Sequence, residues 1–301
     1  MIRMPIPEGE PAVPQHGQED ERTRVRYVFA VGRGGGRLES AADGLSGPSG
    51  SPVRTVDAAG LSALVSDVPA GLYDEAGLKA QLEDMARLEA MARSHHAVVG
   101  AAYEHTTVLP MRLATVYLDD GRVAEMLAER EGEFDALLSR LEGHVEWGVK
   151  IYADPREAAA GAASASSPGG ASSPASGSPG RAYLQQRRQQ RSTHRDTYRA
   201  AGAVGERVAA LADGIAAARV SHRPQQGELA SGPGENITND AYLVPEARSE
   251  DFRAAIGGLA EGVPGVRVVL TGPWAPYSFA TPPSSPSPQQ SQHAGTAGDG
   301  T

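Results

Sequence analysis

The sequence predicts an α+β protein of two domains, the second ferredoxin-like in its β-α-β-β-α-β order, with a disordered insertion and disordered N- and C-terminal tails. Three observations lead there. The chain has 301 residues, more than one hydrophobic core of about 100–200 residues ordinarily organises. Its apolar residues switch repeatedly between the strand period of two and the helix period of 3.6. Residues 1–23 and 281–301 are dominated by Pro, Gly, Ser, Gln and charge, and Ala158 to Gly180 replaces all larger apolar residues with Ala, Ser, Gly and Pro, compositions that cannot offset chain entropy by burial. The expected divisions are a tail over 1–23, a first domain over 24–142, a second over 143–280 with a flexible insertion at 155–180, and a tail over 281–301.

Val25 to Val31 is β-branched and aromatic, which reads as a strand ended by the glycine run Gly32–Gly36. Val53–Val56 and Leu61–Val68 flank a turn at Ala59-Gly60 and read as two more strands. From Asp74 the residues Leu78, Leu82, Met85, Ala92, Val99 and Ala102 recur at helical spacing and predict one long amphipathic helix. Thr106–Leu118 returns to β character around Pro110, which lacks a ladder donor and belongs at a bulge or edge. Val123, Met126, Leu127, Phe134, Leu137, Leu138 and Leu141 mark another helix.

His144 to Tyr152 alternates, with Val145, Trp147, Val149 and Ile151 on one face and Glu146, Lys150 and Tyr152 on the other. Tyr183–Arg219 reads as a helix with an apolar stripe of Val204, Val208, Leu211, Ile215 and Ala218. A short strand near Val220, a firmer one at Tyr242–Val244, a helix through Phe252, Ile256 and Leu259, and a strand at Val266–Thr271 complete the split βαβ order.

With no cysteine, disulfides, thiolate metal sites and thiol nucleophiles are excluded, which fits a reducing cytoplasm. Met1 to Asp20 lacks the order of a signal peptide, and no run of about 18 apolar residues is long enough to span a bilayer. A formal charge of −9 repels a phosphate backbone at long range. The expected localisation is cytoplasmic, with no nucleic acid and no membrane among the partners.

No motif points to chemistry. Gly32, Gly34, Gly35 and Gly36 lack the Gly-Lys-Ser/Thr and helix start of a phosphate loop, and read as a hairpin loop. His95 and His96 are adjacent on a helix and point about 100° apart, unsuited to one metal ion. His105 and His144 read as structural, and no Ser, His and acid fall in a recognisable triad order. Asn236-Ile237-Thr238 matches a glycosylation sequon that only a secreted protein would use. Arg187, Arg188, Arg191, Arg195 and Arg199 form a basic helical stretch, read as a solvated face or as a contact for an acidic partner or RNA. The expectation is therefore no enzyme: no catalytic residues, no metal and no cofactor.

Three blocks carry a resemblance: Val108-Leu109-Pro110-Met111-Arg112, Glu146-Trp147-Gly148-Val149-Lys150, and Thr271-Gly272-Pro273-Trp274-Ala275-Pro276-Tyr277-Ser278-Phe279, with a fainter one at Asn239–Val244. In this order they resemble the gas vesicle GvpF/GvpL family, from about Val25 to Phe279. Leu113-Ala114 stands where the family usually has Phe-Gly, and Ala275 where it has a second Pro. The resemblance implies a two-domain α+β accessory protein of gas vesicle assembly, located with the vesicle. Its partners would be the small hydrophobic shell subunit and other accessory gas vesicle proteins, and it would help to nucleate or chaperone the vesicle wall. A subunit built to face gas aggregates in water unless its apolar surface is covered. Pro110, Arg112, Glu146, Lys150, Trp274, Tyr277 and Phe279 are the candidate partner-binding residues. Glu146 and Lys150 also read as bonded to a neighbouring strand or to the covering helices, Trp147 as core, and Trp274 as either a plug or an anchor. The alternative function is a ferredoxin-like ligand-sensing or RNA-contacting module.

Overall fold

Strand β1 (Arg24–Arg33) organises the first half because five successive residues, Tyr27 to Val31, are fully buried. A strand buried on both faces must be central, and β1 lies between β3 (Leu61–Pro69) and the edge segments β4 (Val108–Pro110) and β5 (Val116–Tyr117), with β2 (Val53–Ala58) outside β3. A bulge between Val28 and Ala30 resets the alternation, so Tyr27, Phe29 and Ala30 face one cluster while Val28 and Val31 face another. The computed structural model describes residues 23–165, 179–224 and 234–281, so the expected tails and most of 155–180 beyond Ala165 lie outside the described residues.

On the first face of this sheet lie α1 (Gly36–Ala42), the single turn α2 (Ala70–Tyr73), α3 (Glu75–Glu83) and α4 (Met85–His105), contributing Leu38, Tyr73, Met91, Val98, Val99 and Ala102. On the second face lie α5 (Asp120–Glu129) and α6 (Glu131–Leu141), whose Val123, Leu127, Phe134, Leu138 and Leu141 are buried there.

In the second half β6 (His144–Ala153) pairs antiparallel with both β8 (Glu235–Pro245) and β9 (Val266–Trp274), and β7 (Ala218–His222) lies outside β8. The strand order is thus β7-β8-β6-β9, all antiparallel, with α7 (Pro155–Ala165), α8 (Pro179–Asp213) and α9 (Ser249–Gly257) between strands. Val145, Trp147, Val149 and Ile151 pack on α8 through Ala201, Val204, Val208 and Ala212 and on α9 through Phe252 and Ile256. The other face places Ala241 and Leu243 into the cluster built by α5 and α6, so one apolar core is shared by both sheets.

The structure corrects several expectations. The glycine run is not a plain hairpin loop, because α1 starts at Gly36. The helix expected from Asp74 is broken at Asp84, whose carboxylate accepts hydrogen bonds from the backbone N–H groups of Ala86 and Arg87 and so caps a new helix. Leu82 and Met85 are consequently exposed, and the buried face of α4 runs instead through Met91, His95, Val98 and Ala102. The span from Val123 to Leu141 is likewise two helices, divided at Arg130. Leu211 is exposed, and Ala212 takes its place in the stripe. The flexible insertion expected over 155–180 begins as a helix: Asp154 caps α7, and Ala158 is buried. Gly265, at φ +69°, lets the chain pass Ala158, since a Cβ there would lie 2.7 Å from the Ala158 methyl.

Candidate functional site at the junction of the sheets

The three blocks, far apart in sequence, meet where β9 runs off the second sheet and crosses onto the first half. Residue pairs across the strands fix the start: Glu146 stands opposite Trp274 on one side and Leu243 on the other, placing all three on the face turned toward the first half. The block glycines permit the approach. A Cβ on Gly148 would lie 2.5 Å from Thr271 Oγ1, and one on Gly272, at φ +133°, would lie 2.8 Å from the Glu146 carbonyl oxygen and 3.2 Å from the Trp147 ring.

Glu146 is a buried carboxylate that holds the closing block. Oε2 accepts from the Ser278 backbone N–H at 2.7 Å, Oε1 accepts from the Ser278 hydroxyl at 2.8 Å, and His222 Nε2 lies 3.0 Å from that same hydroxyl. Burial pushes the Glu146 carboxyl above its ordinary range, opposed by the two Ser278 hydrogen bonds and by His222. Beyond this clamp Ala275 and Tyr277 pack into the first cluster and Phe279 is buried in the shared one. The segment 275–279 therefore touches both cores.

The receiving surface comes from α4 and β1. Tyr27 Oη lies 3.0 Å from His95 Nδ1 and accepts the Ala114 N–H at 3.1 Å, which ties β1, α4 and the loop after the first block together. The His95 ring packs against Phe29, Tyr27 and Tyr277. His96, one residue on and exposed, meets Trp274 edge to face at 5.1 Å and Tyr277 at 6.0 Å. Trp274 retains 42 % of its surface exposed and rests on His96 as a ledge. Separately, Leu109, Pro110, Met111, Arg112 and Thr115 line a groove of about 260 Å³ together with Arg130, Phe134, Ala280 and Thr281.

The candidate residues divide by exposure. Trp274 and Arg112 are exposed, Lys150 and Tyr277 are partly buried, and Pro110, Glu146 and Phe279 are buried. Trp147 is core as expected, with its indole N–H donating to Ser249 Oγ at 2.8 Å. Sequence reasoning did not single out Tyr27, Ser278 or His222, and weighed His95 and His96 only as metal ligands. Among the described residues no group of three or more His, Asp and Glu could hold a metal ion.

Two expected outcomes follow from this geometry. Burial lowers His95 to about 4, opposed by the nearby Met111 backbone, so the folded state favours the neutral ring. Its stabilisation is complete above the ordinary histidine value of about 6.5 and is lost as pH falls from there through about 4. Melting curves at pH 7 and pH 5 should show an acid loss in the unaltered chain that is smaller in His95→Gln. Ala114, where the family pattern has Gly, sits at φ +62°, a left-handed conformation costing an L-residue about 1 kcal/mol. Ala114→Gly should leave stability unchanged or raise it by up to about 1 kcal/mol, read from denaturant midpoints.

The fold and this junction define a class, an α+β scaffold of two antiparallel sheets closed by an aromatic C-terminal block. The same fold is seen in the crystal structures of the gas vesicle protein GvpF from Anabaena sp. PCC7120, with a TM-score of 0.59 at 18% identity over 86% of this chain and 97% of that one, and from Microcystis aeruginosa, with a TM-score of 0.56 at 18% identity over 85% and 99%. In sequence, the chain is 43% identical over 265 residues to gas vesicle protein L of Streptomyces sp. (strain CB03234), covering 85% of this chain and 93% of that protein. It is 29% identical over 261 residues to gas vesicle protein F of the same organism, covering 84% and 98%. The family model for gas vesicle synthesis protein GvpL/GvpF matches residues 25–281, and the chain belongs to that family. Its role is accordingly in gas vesicles, and no helix among the described residues is long and apolar enough to cross a membrane.

Proposed function

We propose that this chain is an assembly accessory protein that binds the small hydrophobic gas vesicle shell subunit and helps to nucleate or chaperone the vesicle wall, without a catalytic centre of its own. The observation that carries this reading is the Trp274 ledge: a large aromatic ring, 42 % exposed, held on a rigid base by His96, Tyr277 and the Glu146–Ser278 clamp. Exposed aromatic side chains on preorganised supports are what dominate binding energy at protein interfaces, because little side-chain entropy remains to be lost. Arg112, exposed beside the groove, supplies a polar rim. The strand order β7-β8-β6-β9 supports reading the second half, residues 143–280, as a ferredoxin-like unit that carries this ledge at the end of its last strand. The shared core supports treating the first half, 24–142, as its fixed companion.

The experiment is co-expression of the chain with the shell subunit, followed by affinity capture and by inspection of cells lacking the chain. Capture of the shell subunit, and loss of vesicles without the chain, are expected. Absence of capture together with normal vesicles after deletion contradicts the proposal.

A further inference from the structure

Helix α8 is longer than its core requires. Only its second half packs, through Ala201, Val204, Val208 and Ala212, while every residue from Tyr183 to Arg191 is exposed, two and a half turns with no buried side. A helix with no packed face is marginal in water, since most helical stability in proteins comes from tertiary contact. This stretch is also strongly basic: from Arg181 to Arg195 it holds five arginines and no acid. The whole chain is at −9, so with those five set aside the remainder carries −14. Among the described residues none of the five forms an ion pair, and Arg187 instead rests on Tyr183, donating from Nε to its hydroxyl at 3.2 Å.

A groove elsewhere on the molecule has the complementary character. It measures about 520 Å³ and lies between β5 and α5, lined by the apolar Val116, Leu118 and Met126, by Glu125 and Glu129, and by Arg122 and Arg130. Leu118 is 69 % exposed. Glu129 forms no ion pair among the described residues, and Glu125 pairs with exposed Arg122 three residues before it, a contact that contributes little and exchanges readily. Arg130, also on the groove, is engaged by Glu133 at 2.7 Å. Glu125 and Glu129 are four apart on one helix, as are Arg187 and Arg191, so in both pairs the side chains leave the helix on one face with Cβ atoms about 6 Å apart. Leu184, exposed and one turn before Arg187 and Arg188, matches the groove's apolar lining residues.

We infer that the basic arm of α8 docks into the β5–α5 groove of a second copy of this chain, Arg187 and Arg191 against Glu125 and Glu129. The contact joins two different surfaces, so reciprocal exchange gives a closed pair and one-way exchange gives longer chains. This self-association stands apart from shell-subunit binding at Trp274, and either can fail alone.

Sedimentation of the full chain tests it. At about 50 mM salt the apparent mass is expected at least to double as concentration rises, and to return to the monomer at about 500 mM, where screening shortens. Arg187→Glu/Arg188→Glu/Arg191→Glu should remain monomeric with its melting temperature little changed, because the side chains are exposed. Glu125→Arg/Glu129→Arg should behave alike, and mixing the two charge-reversed proteins should restore association between them. A wild-type chain that stays monomeric at low salt, or an arm variant that associates as before, overturns the inference. An arm that retains RNA while the mass stays monomeric also overturns it, and assigns the arm to nucleic acid.

Discussion

Leu243→Ala is expected to cost about 2–5 kcal/mol of stability and to lower the melting of both halves together. Leu243 belongs to the second sheet, yet its side chain, 1 % exposed, lies in the cluster that α5, α6 and the inner face of the first sheet build. Removing three side-chain carbons there, a methine and its two methyls, leaves a cavity that neither half can close by itself, because the walls come from both. At about 2–4 °C per kcal/mol for a domain of roughly this size, the shift is easily read by calorimetry. One transition moving as a unit is the expected result. Two transitions, of which only one moves, would mean that the sheets fold as independent bodies and the shared core is only a contact.

The second large effect concerns Glu146, where the two simplest replacements should part company. Glu146→Ala removes the acceptor for the Ser278 N–H and hydroxyl, and a loss of about 3–6 kcal/mol is expected from two hydrogen bonds to a charged group. Glu146→Gln keeps an oxygen for the N–H and offers an amide to the hydroxyl, so the clamp survives. The sign of the pH dependence separates this from simple loss of a charge. Burial raises the folded-state value, so the folded chain holds the Glu146 proton more tightly than the unfolded chain does. The group's contribution is most favourable in acid and declines as pH rises through the window above the ordinary glutamate value of about 4.3. The stability of Glu146→Gln relative to the unaltered chain should therefore rise over that window, measured by urea unfolding at a series of pH values. A variant that falls behind as pH rises would show that the ionised clamp itself stabilises the fold.

Much of the fold was legible because burial and period agree. β1, β2, β3 and β6 are short runs of β-branched and aromatic residues, and their ends fall where Gly or Pro interrupts them. The helices were less clear where a polar side chain outcompetes a continuing period. Leu82 and Met85 extend the apolar repeat of the helix before them, but the Asp84 carboxylate bonds the next N–H groups and restarts the axis, turning both residues outward. α1 was missed because four glycines are poor helix formers and carry no cap signal; Leu38, Ala41 and Ala42 form it by packing on the sheet.

The site was legible as blocks but not as roles. Pro110, Glu146 and Phe279 are buried, whereas Trp274 and Arg112 reach solvent. That division depends on partners remote in sequence: Glu146 meets Ser278 across 132 residues, and Tyr27 meets His95 across 68. No local pattern encodes such pairs. His95 and His96 show the point most sharply, since neighbours in sequence become opposite cases, one a neutral ring inside the core and the other the exposed support of Trp274.

The most direct test of the Trp274 ledge is a binding titration of the shell subunit against the unaltered chain and Trp274→Ala, with melting temperatures measured on the same samples. The expected result is binding weakened by at least tenfold, about 1.4 kcal/mol, with the melting temperature nearly unchanged. Unchanged binding, or a loss of binding matched by a collapse of stability, would contradict it, showing that the ring closes the junction and meets no partner.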